Sequence, residues 1–435
     1  MPATTQSAAP DTAKVLEAVA SIDITAAGPS CRMWIGDVNG DGRMDLVLVQ
    51  PDNDPSDTRR PNSVVAITAF ELTGKQLWQI GTPDMANRVG SGADIPAQLY
   101  DIDADGQIEV LACINEELRI FDGKTGQQEA AHKLPDPDAH DCILFANFSG
   151  NPTAQDIVLK DRYRRLWAFD KDFKPLFTFS GNLGHYLWPY DFDGDGRDEL
   201  IAGYHLLGSD GKEKWKMDLK GHQDAVWVAD VDADPSNGME IIVGGNGTYL
   251  YNAQGKQLWA YNGTVESQNA FPGDFRPDLP GLEIGGLDRI NRNPTTGLDG
   301  LFLIDANGKE LYKEKRQVHG WSSITTVVRN FDGKGGDHFL AYRRGGGLKP
   351  GLYDGHMDRV LGLPIEGHFM WADLLDNGST QIVGYNEEGK AYIYSMVPFD
   401  LSAAPSGKPI KQPKRLYNWT RYWGSETPAA TKASK

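Results

Sequence analysis

An acidic loop recurs along this chain, and its spacing restricts the fold more than any other feature. Its best copy carries Asp191, Asp193, Asp195, Gly196 and Glu199 within HYLWPYDFDGDGRDELIAGY. Equivalents begin at Asp37, Asp101, Asn147, Asp230, Asp274, Asn330 and Asp373, in steps of 39 to 64 residues. Each loop separates two short apolar runs, and two further runs follow before the next copy. Apolar runs parted by Gly/Asp turns about every 8–12 residues fit strands, and no stretch keeps a helical period. Four-stranded units of roughly 40–50 residues read as propeller blades. The expected fold is therefore all-β: a β-propeller of seven or eight four-stranded blades with calcium-type loops. Two separate β-sandwiches fit the regular spacing less well.

The propeller is expected over 17–400. Residues 17–24 alternate like a lone strand and should close the ring in the last blade, which is short of an outer strand. The polar stretch 1–16 reads as a disordered tail. The Pro/Lys segment 401–435 reads as a linker and tail partly packed on the body, with Trp419, Tyr422 and Trp423 against it. No run approaches the length of a membrane helix, and no apolar segment of an export signal follows Met1. A secreted or periplasmic protein without its signal is expected, acting as a monomer and away from membranes. The three cysteines, Cys31, Cys113 and Cys142, lie inside apolar runs and read as buried thiols. A net charge of −17 excludes an ordinary nucleic-acid binder, which needs a basic face.

The loop pattern D-x-[DN]-x-D-G-x-x-[DE] sets oxygen ligands on alternate residues of a tight turn, and its sixth-position Gly permits a positive φ. Hard oxygen donors at this density suit structural calcium. The candidate ligands are Asp37, Asn39, Asp41 and Asp45; Asp101, Asp103, Asp105 and Glu109; Asp191, Asp193, Asp195 and Glu199; and Asp230, Asp232 and Asp234. The loops at Asn147, Asn330 and Asp373 read as plain Asx turns. No acid stands at a twelfth position, so these are not EF-hands. The pattern resembles the calcium-loop repeats of FG-GAP and VCBS propellers.

If every acidic loop lies on one face, the residue opening each innermost strand lies on the other, near the axis. Those residues are Ser30, Asp94, His140, His185, His222, Gln268, His319 and His368. Five of the nine histidines thus share one position. A single histidine there would read as a hydrogen-bonded core residue; five around one ring mouth read as a site. Turns on the same face add Arg162, Tyr163, Arg164, Tyr204, His205, Asn246, Arg289, Arg292, Arg343 and Arg344. Imidazoles, phenols and guanidiniums would make a cationic cup suited to a carboxylate-bearing ligand.

The run from GHYLWPYDFDGDGRDELIAGYHLLGSDGKEKW to GHQDAVWVADVDADPSNGMEI resembles the family 11 rhamnogalacturonan lyases, most specifically over 181–245 and at repeat level over roughly 30–400. The chain departs from that family in being shorter and in carrying Asp94 where a His is usual. It is also similar to smaller propeller lyases acting on ulvan and on rhamnosyl-glucuronate ends, where a His and a Tyr on neighbouring blades act at one uronic acid.

The resemblance implies a polysaccharide lyase cleaving by β-elimination at O4 of a uronic acid, in an anionic polysaccharide or oligosaccharide. It implies Tyr204, His140 and His185 as catalytic residues. His222, Arg162, Arg164, Arg289, Arg343, His319 and His368 would hold the substrate. Tyr204 reads equally as an ordinary strand-end aromatic. Two other readings stay open: a non-catalytic carbohydrate- or protein-binding propeller, and a transition-metal site in the histidine ring, since imidazole suits zinc and copper.

Overall fold

The computed structural model describes residues 13–52, 63–87, 95–232, 234, 236–291, 298–314, 323–343, 350–386 and 388–410, the side chains of 323, 324 and 343 excepted. Eight antiparallel sheets follow one another along the chain, each built from four consecutive strands apart from the closures below. Their first strands are Arg32–Gly36, Ala97–Tyr100, Cys142–Ala146, Leu187–Tyr190, Ala225–Ala229, Ser267–Gly273, Ser323–Arg329 and His368–Ala372. First strands of successive blades touch from blade one to blade seven, and the first strand of blade eight touches that of blade one. The ring is therefore closed, with the first strands lining the axis.

Closure uses the N-terminal segment. Ala20–Asp23 pairs antiparallel with Lys390–Tyr394 and supplies the outer strand of blade eight, as the alternation of 17–24 predicts. The tail expected over 1–16 ends sooner, because Lys14 and Val15 pair in parallel with Leu361 and Gly362 and add a fifth strand to blade seven. At the other end, Leu401 and Ile410 pack on the apolar cluster beneath blades eight and one. Trp419, Tyr422 and Trp423 lie outside the described residues. No described helix is long and apolar enough to cross a membrane.

Two repeated devices join sequence to packing. In one, the acid or amide that opens a second strand accepts a backbone N–H from its own loop. Asp45 takes Val38, Glu109 takes Ile102, Glu199 takes Phe192, Glu240 takes Val231, and Gln381 takes Leu374, all within 2.8–3.1 Å. Gln381 does this as well as the acids, so this position serves turn geometry whether or not a cation is bound. In the other, an outer-strand tryptophan caps the next blade. The indoles of Trp78, Trp215 and Trp259 donate to the carbonyls of Gly123, Ala253 and Ala306. Each ring also lies flat against a turn glycine, Gly126, Gly255 or Gly308.

Candidate functional site

The turn after the second strand of blade three sets the centre of the site. Asp161 ends this strand's apolar run, and its Oδ1 accepts the N–H groups of Tyr163, Arg164 and Arg165 at 3.1, 2.7 and 2.9 Å. This Asx turn curls 161–165 tightly. Arg165 is bound back to Asp136 and Asp161 at 2.6 and 2.9 Å. Arg162 donates from Nε to the Tyr163 hydroxyl oxygen at 3.1 Å.

Beneath that turn lies a charge pair with no exposure. Lys160 and Asp141 are both 0% exposed, with Nζ 2.8 Å from Oδ2. The ammonium also donates to the carbonyls of Asp161 (2.8 Å) and Arg162 (2.6 Å). Asp141 lies 3.6 Å from Arg162 Nη1 as well. A buried lysine with carbonyl and carboxylate acceptors is satisfied, and it clamps the turn from below.

Blades four and five bring two histidines to the same place. Gly184 turns at φ +58°, where a Cβ would strike Gln223 at 2.7 Å, so only glycine fits before His185. Gln223 then ties the two blades: it accepts from the N–H groups of His185 and Tyr186 and donates to the Tyr186 carbonyl. The imidazoles of His185 and His222 lie 5.2 Å apart, and the Tyr163 ring sits 5.2 Å from the first and 5.6 Å from the second. Asp224, 2% exposed, places Oδ1 3.2 Å from His222 Nε2 and 3.7 Å from His185 Nε2. Gln268 Nε2 of blade six donates to the same oxygen at 3.1 Å. Tyr163, Arg164, Gly181, Asn182 and His222 line a cleft of about 870 Å³ beside the triangle.

The expected residues therefore separate. His185, His222 and Arg162 gather around Tyr163. His140 is 6% exposed and precedes Asp141, within the wall below the turn. Arg164 is exposed at the cleft. Arg289 faces Glu266 at 3.9 Å within blade six. His368 packs on Tyr385, ring centres 5.5 Å apart, and lines a small cavity with Ser30 and Cys31. His205 is buried, with Nδ1 2.5 Å from Glu213 and its ring edge-on to Phe179. Asp94, His319, Arg292, Arg344 and the Arg343 side chain lie outside the described residues.

Tyr204 does not line the cleft. Its ring is 1% exposed in the core shared by blades three to seven. Burial, reinforced by Asp224, Tyr249 and Tyr251, pushes its phenol well above the ordinary range, away from what a base needs near neutral pH. Tyr163, one blade earlier at the equivalent turn, is the tyrosine that meets the histidines. Asp141, Lys160 and Asp224 were missed. The Gly-His-x-Asp run at 221–224 was a visible signal for Asp224, whereas Lys160 reads in sequence as a routine strand end.

The acidic loops also differ from one another. In blade four the Lys214 ammonium already bridges Asp193 at 2.9 Å and Glu199 at 2.7 Å. In blade one Asp37 accepts the N–H of Ile410. In blade two Asp101, Asp103 and Glu109 converge, as do Asp230, Asp232 and Glu240 in blade five. Burial, with neighbouring acids adding, pushes Glu109 up to about 8 and Glu240 up to about 7.

Residues 24–134 and 155–327 match the sequence model of rhamnogalacturonan lyase family 11, C-terminal domain, which is more than half of the chain. Two curated relatives from Bacillus subtilis (strain 168) are similar. Rhamnogalacturonan endolyase YesW is 24% identical over 318 residues, 58% of this chain and 50% of that protein. Rhamnogalacturonan exolyase YesX is 24% identical over 322 residues, 58% of this chain and 52% of that protein. The chain thus spans about half the length of the curated relatives it matches. The crystal structure of the exotype lyase YesX superposes with a TM-score of 0.61 at 19% identity, over 86% of this chain and 75% of that one, and so shares the fold.

Proposed function

The chain belongs to rhamnogalacturonan lyase family 11, and on that premise we propose that it is a polysaccharide lyase acting by β-elimination at O4 of a uronic acid. The substrate we propose is a rhamnose-containing, uronate-bearing polysaccharide or oligosaccharide. The observation that carries this reading is the convergence of Tyr163, His185 and His222, with Arg162 on the phenol oxygen.

H5 of a uronate is weakly acidic, so the adjacent carboxylate must be neutralised as negative charge develops. His185 and His222, backed by Asp224, supply that face of the site. Tyr163, as the phenolate, takes H5 from C5, the C4–C5 double bond forms, the C4–O4 bond breaks, and the phenol so formed returns that proton to the departing O4. Arg162 supplies the positive charge that balances the phenolate. Its guanidinium donates to the Tyr163 oxygen, which leaves a lone pair of that oxygen free to face the sugar. Asp141 and Lys160 fix the turn that aims both residues.

We also propose structural calcium at the blade-two loop. Asp101 Oδ1 is buried without a hydrogen-bond partner, and three carboxylates converge there. Hard oxygen donors of this kind fit the ion. Asp101, Asp103 and Glu109 would hold it, on the face opposite the mouth. Blade four fits less well, because Lys214 takes the cation's place.

The test is incubation with a panel of uronic-acid polysaccharides while ultraviolet absorbance of the unsaturated product is followed. Tyr163→Phe keeps the ring and should lower turnover about 10²–10⁴-fold, whereas Tyr204→Phe should leave turnover near wild type. A wild-type protein that binds such polymers yet never forms unsaturated product would be a carbohydrate-binding propeller instead.

A further inference from the structure

We infer that the acidic loop of blade one is a socket for the chain's own C-terminal segment, which docks there in place of a calcium ion and latches the seam between blades eight and one. Beyond the last strand of blade eight, Lys390–Tyr394, the chain crosses to the loop at 37–45. Ile410 donates its N–H to Asp37 Oδ2 at 2.9 Å, and Gly407 donates to the Asp41 carbonyl at 2.6 Å. In return Arg43 donates to the carbonyls of Leu401, at 3.3 Å, and Ala403. The Leu401 and Ile410 side chains pack on the apolar cluster that blades eight and one share. The two blades also meet directly there, through the Met44 N–H on the Leu374 carbonyl at 3.1 Å. The segment thus lies across the junction at which the ring closes.

The same loop in other blades shows what the segment replaces. The sixth-position glycines Gly42, Gly106 and Gly196 turn alike, at φ +91°, +93° and +88°. A Cβ on Gly106 or Gly196 would meet nothing within 4 Å, whereas one on Gly42 would strike Ser406 and stand 2.9 Å from the Lys408 carbonyl. In blade two, Asp101 Oδ1 is buried without a hydrogen-bond partner, and three acids converge. In blade one, Asp37 is 2% exposed and has both oxygens taken. Its Oδ1 accepts the Asp41 N–H at 3.0 Å, and its Oδ2 accepts those of Gly42 and Ile410 at 2.9 Å each. Asp37, Asp41 and Asp45 form no cluster of the blade-two kind. Calcium needs about 6–8 oxygen ligands turned to one point. Here N–H groups point at the first carboxylate instead, so this loop does not fit the ion that its sequence suggests. The N–H brought in from position 410 satisfies the buried carboxylate without one.

The test follows backbone amide exchange over 401–410 in the full chain by mass spectrometry, first in chelator and then in excess calcium. Wild-type exchange should be slow in both and equal between them. Arg43→Met removes the two carbonyl contacts and leaves every acid of the loop in place. Asp37→Asn removes the charge that Ile410 meets. Each should speed exchange of the segment about 10–100-fold, the range for losing a hydrogen bond to a charged group. Arg43 is only half-buried, so its variant tests the latch even if Asp37→Asn fails to fold. Wild-type exchange as fast as that of an unstructured peptide, exchange that calcium alters in either direction, or no change in Arg43→Met overturns the proposal. No sugar enters the measurement, so its outcome is separate from that of the lyase reading.

Discussion

Replacing Lys160 with Met removes one charge and keeps nearly the same volume, so it isolates the clamp under the site. The ammonium has four acceptors: Asp141 Oδ2 and the carbonyls of Asp161, Arg162 and Gly184. Neither Lys160 nor Asp141 has any exposure. Breaking a buried pair from one side costs about 3–5 kcal/mol, because the remaining charge stays desolvated. Arg162 Nη1 lies 3.6 Å from Asp141 Oδ1 and offsets part of that loss, which places the expected cost near 3 kcal/mol. Urea denaturation at matched slope measures it. Adding Asp141→Asn removes the stranded charge, so the double variant should recover stability, with a coupling of about 1–3 kcal/mol. A Lys160→Met protein within about 0.5 kcal/mol of wild type would mean that the pair does not clamp the turn.

Three further outcomes are expected. Gly255→Ala should destabilise by about 1–3 kcal/mol, since at φ +81° its Cβ would sit 2.8 Å from the Trp215 ring; a thermal melt unchanged from wild type would refute the cap. Burial pushes Asp288 up to about 6, against its hydrogen bond from Val265 and the charge of Lys313. Stability from that carboxyl is thus present below pH about 4 and lost as pH rises through about 6. Asp288→Asn can still accept the N–H groups of Val265 and Glu266, so it should flatten the stability profile across that window; an unchanged profile would assign the dependence elsewhere. If calcium staples blade two, chelation should lower the melting temperature, calcium should restore it, and Asp101→Asn should remove much of the response. A melt indifferent to chelator would leave the loops as plain turns.

The repeat was legible because strand, turn and acidic loop are local. Alternation, Gly/Asp punctuation and loop spacing lie in contiguous residues, so a propeller of seven or eight blades and its closure by 17–24 could be read from the sequence, whereas the count of eight came from the sheets. Among the described residues, His140, His185, His222 and His368 were legible as openings of inner strands for the same reason. Which of them meet was not legible. Tyr163 and Tyr204 stand at equivalent turns of neighbouring blades, and nothing local distinguishes them. The difference comes from what packs above each ring. Blade five covers Tyr204, whereas the Asx turn around Asp161 lifts Tyr163 beside the cleft. Likewise Asp193 and Glu199 read in sequence only as candidate calcium ligands, and the fold adds Lys214, from the outer strand of the same blade, as an ion-pair partner of both. Lys160 looks like a solvated strand end until Asp141 and three carbonyls enclose it. Local sequence sets backbone repeat and register through short-range propensity and periodicity. The partners of a charge, and whether a phenol meets water or core, depend on residues brought together only when the ring closes.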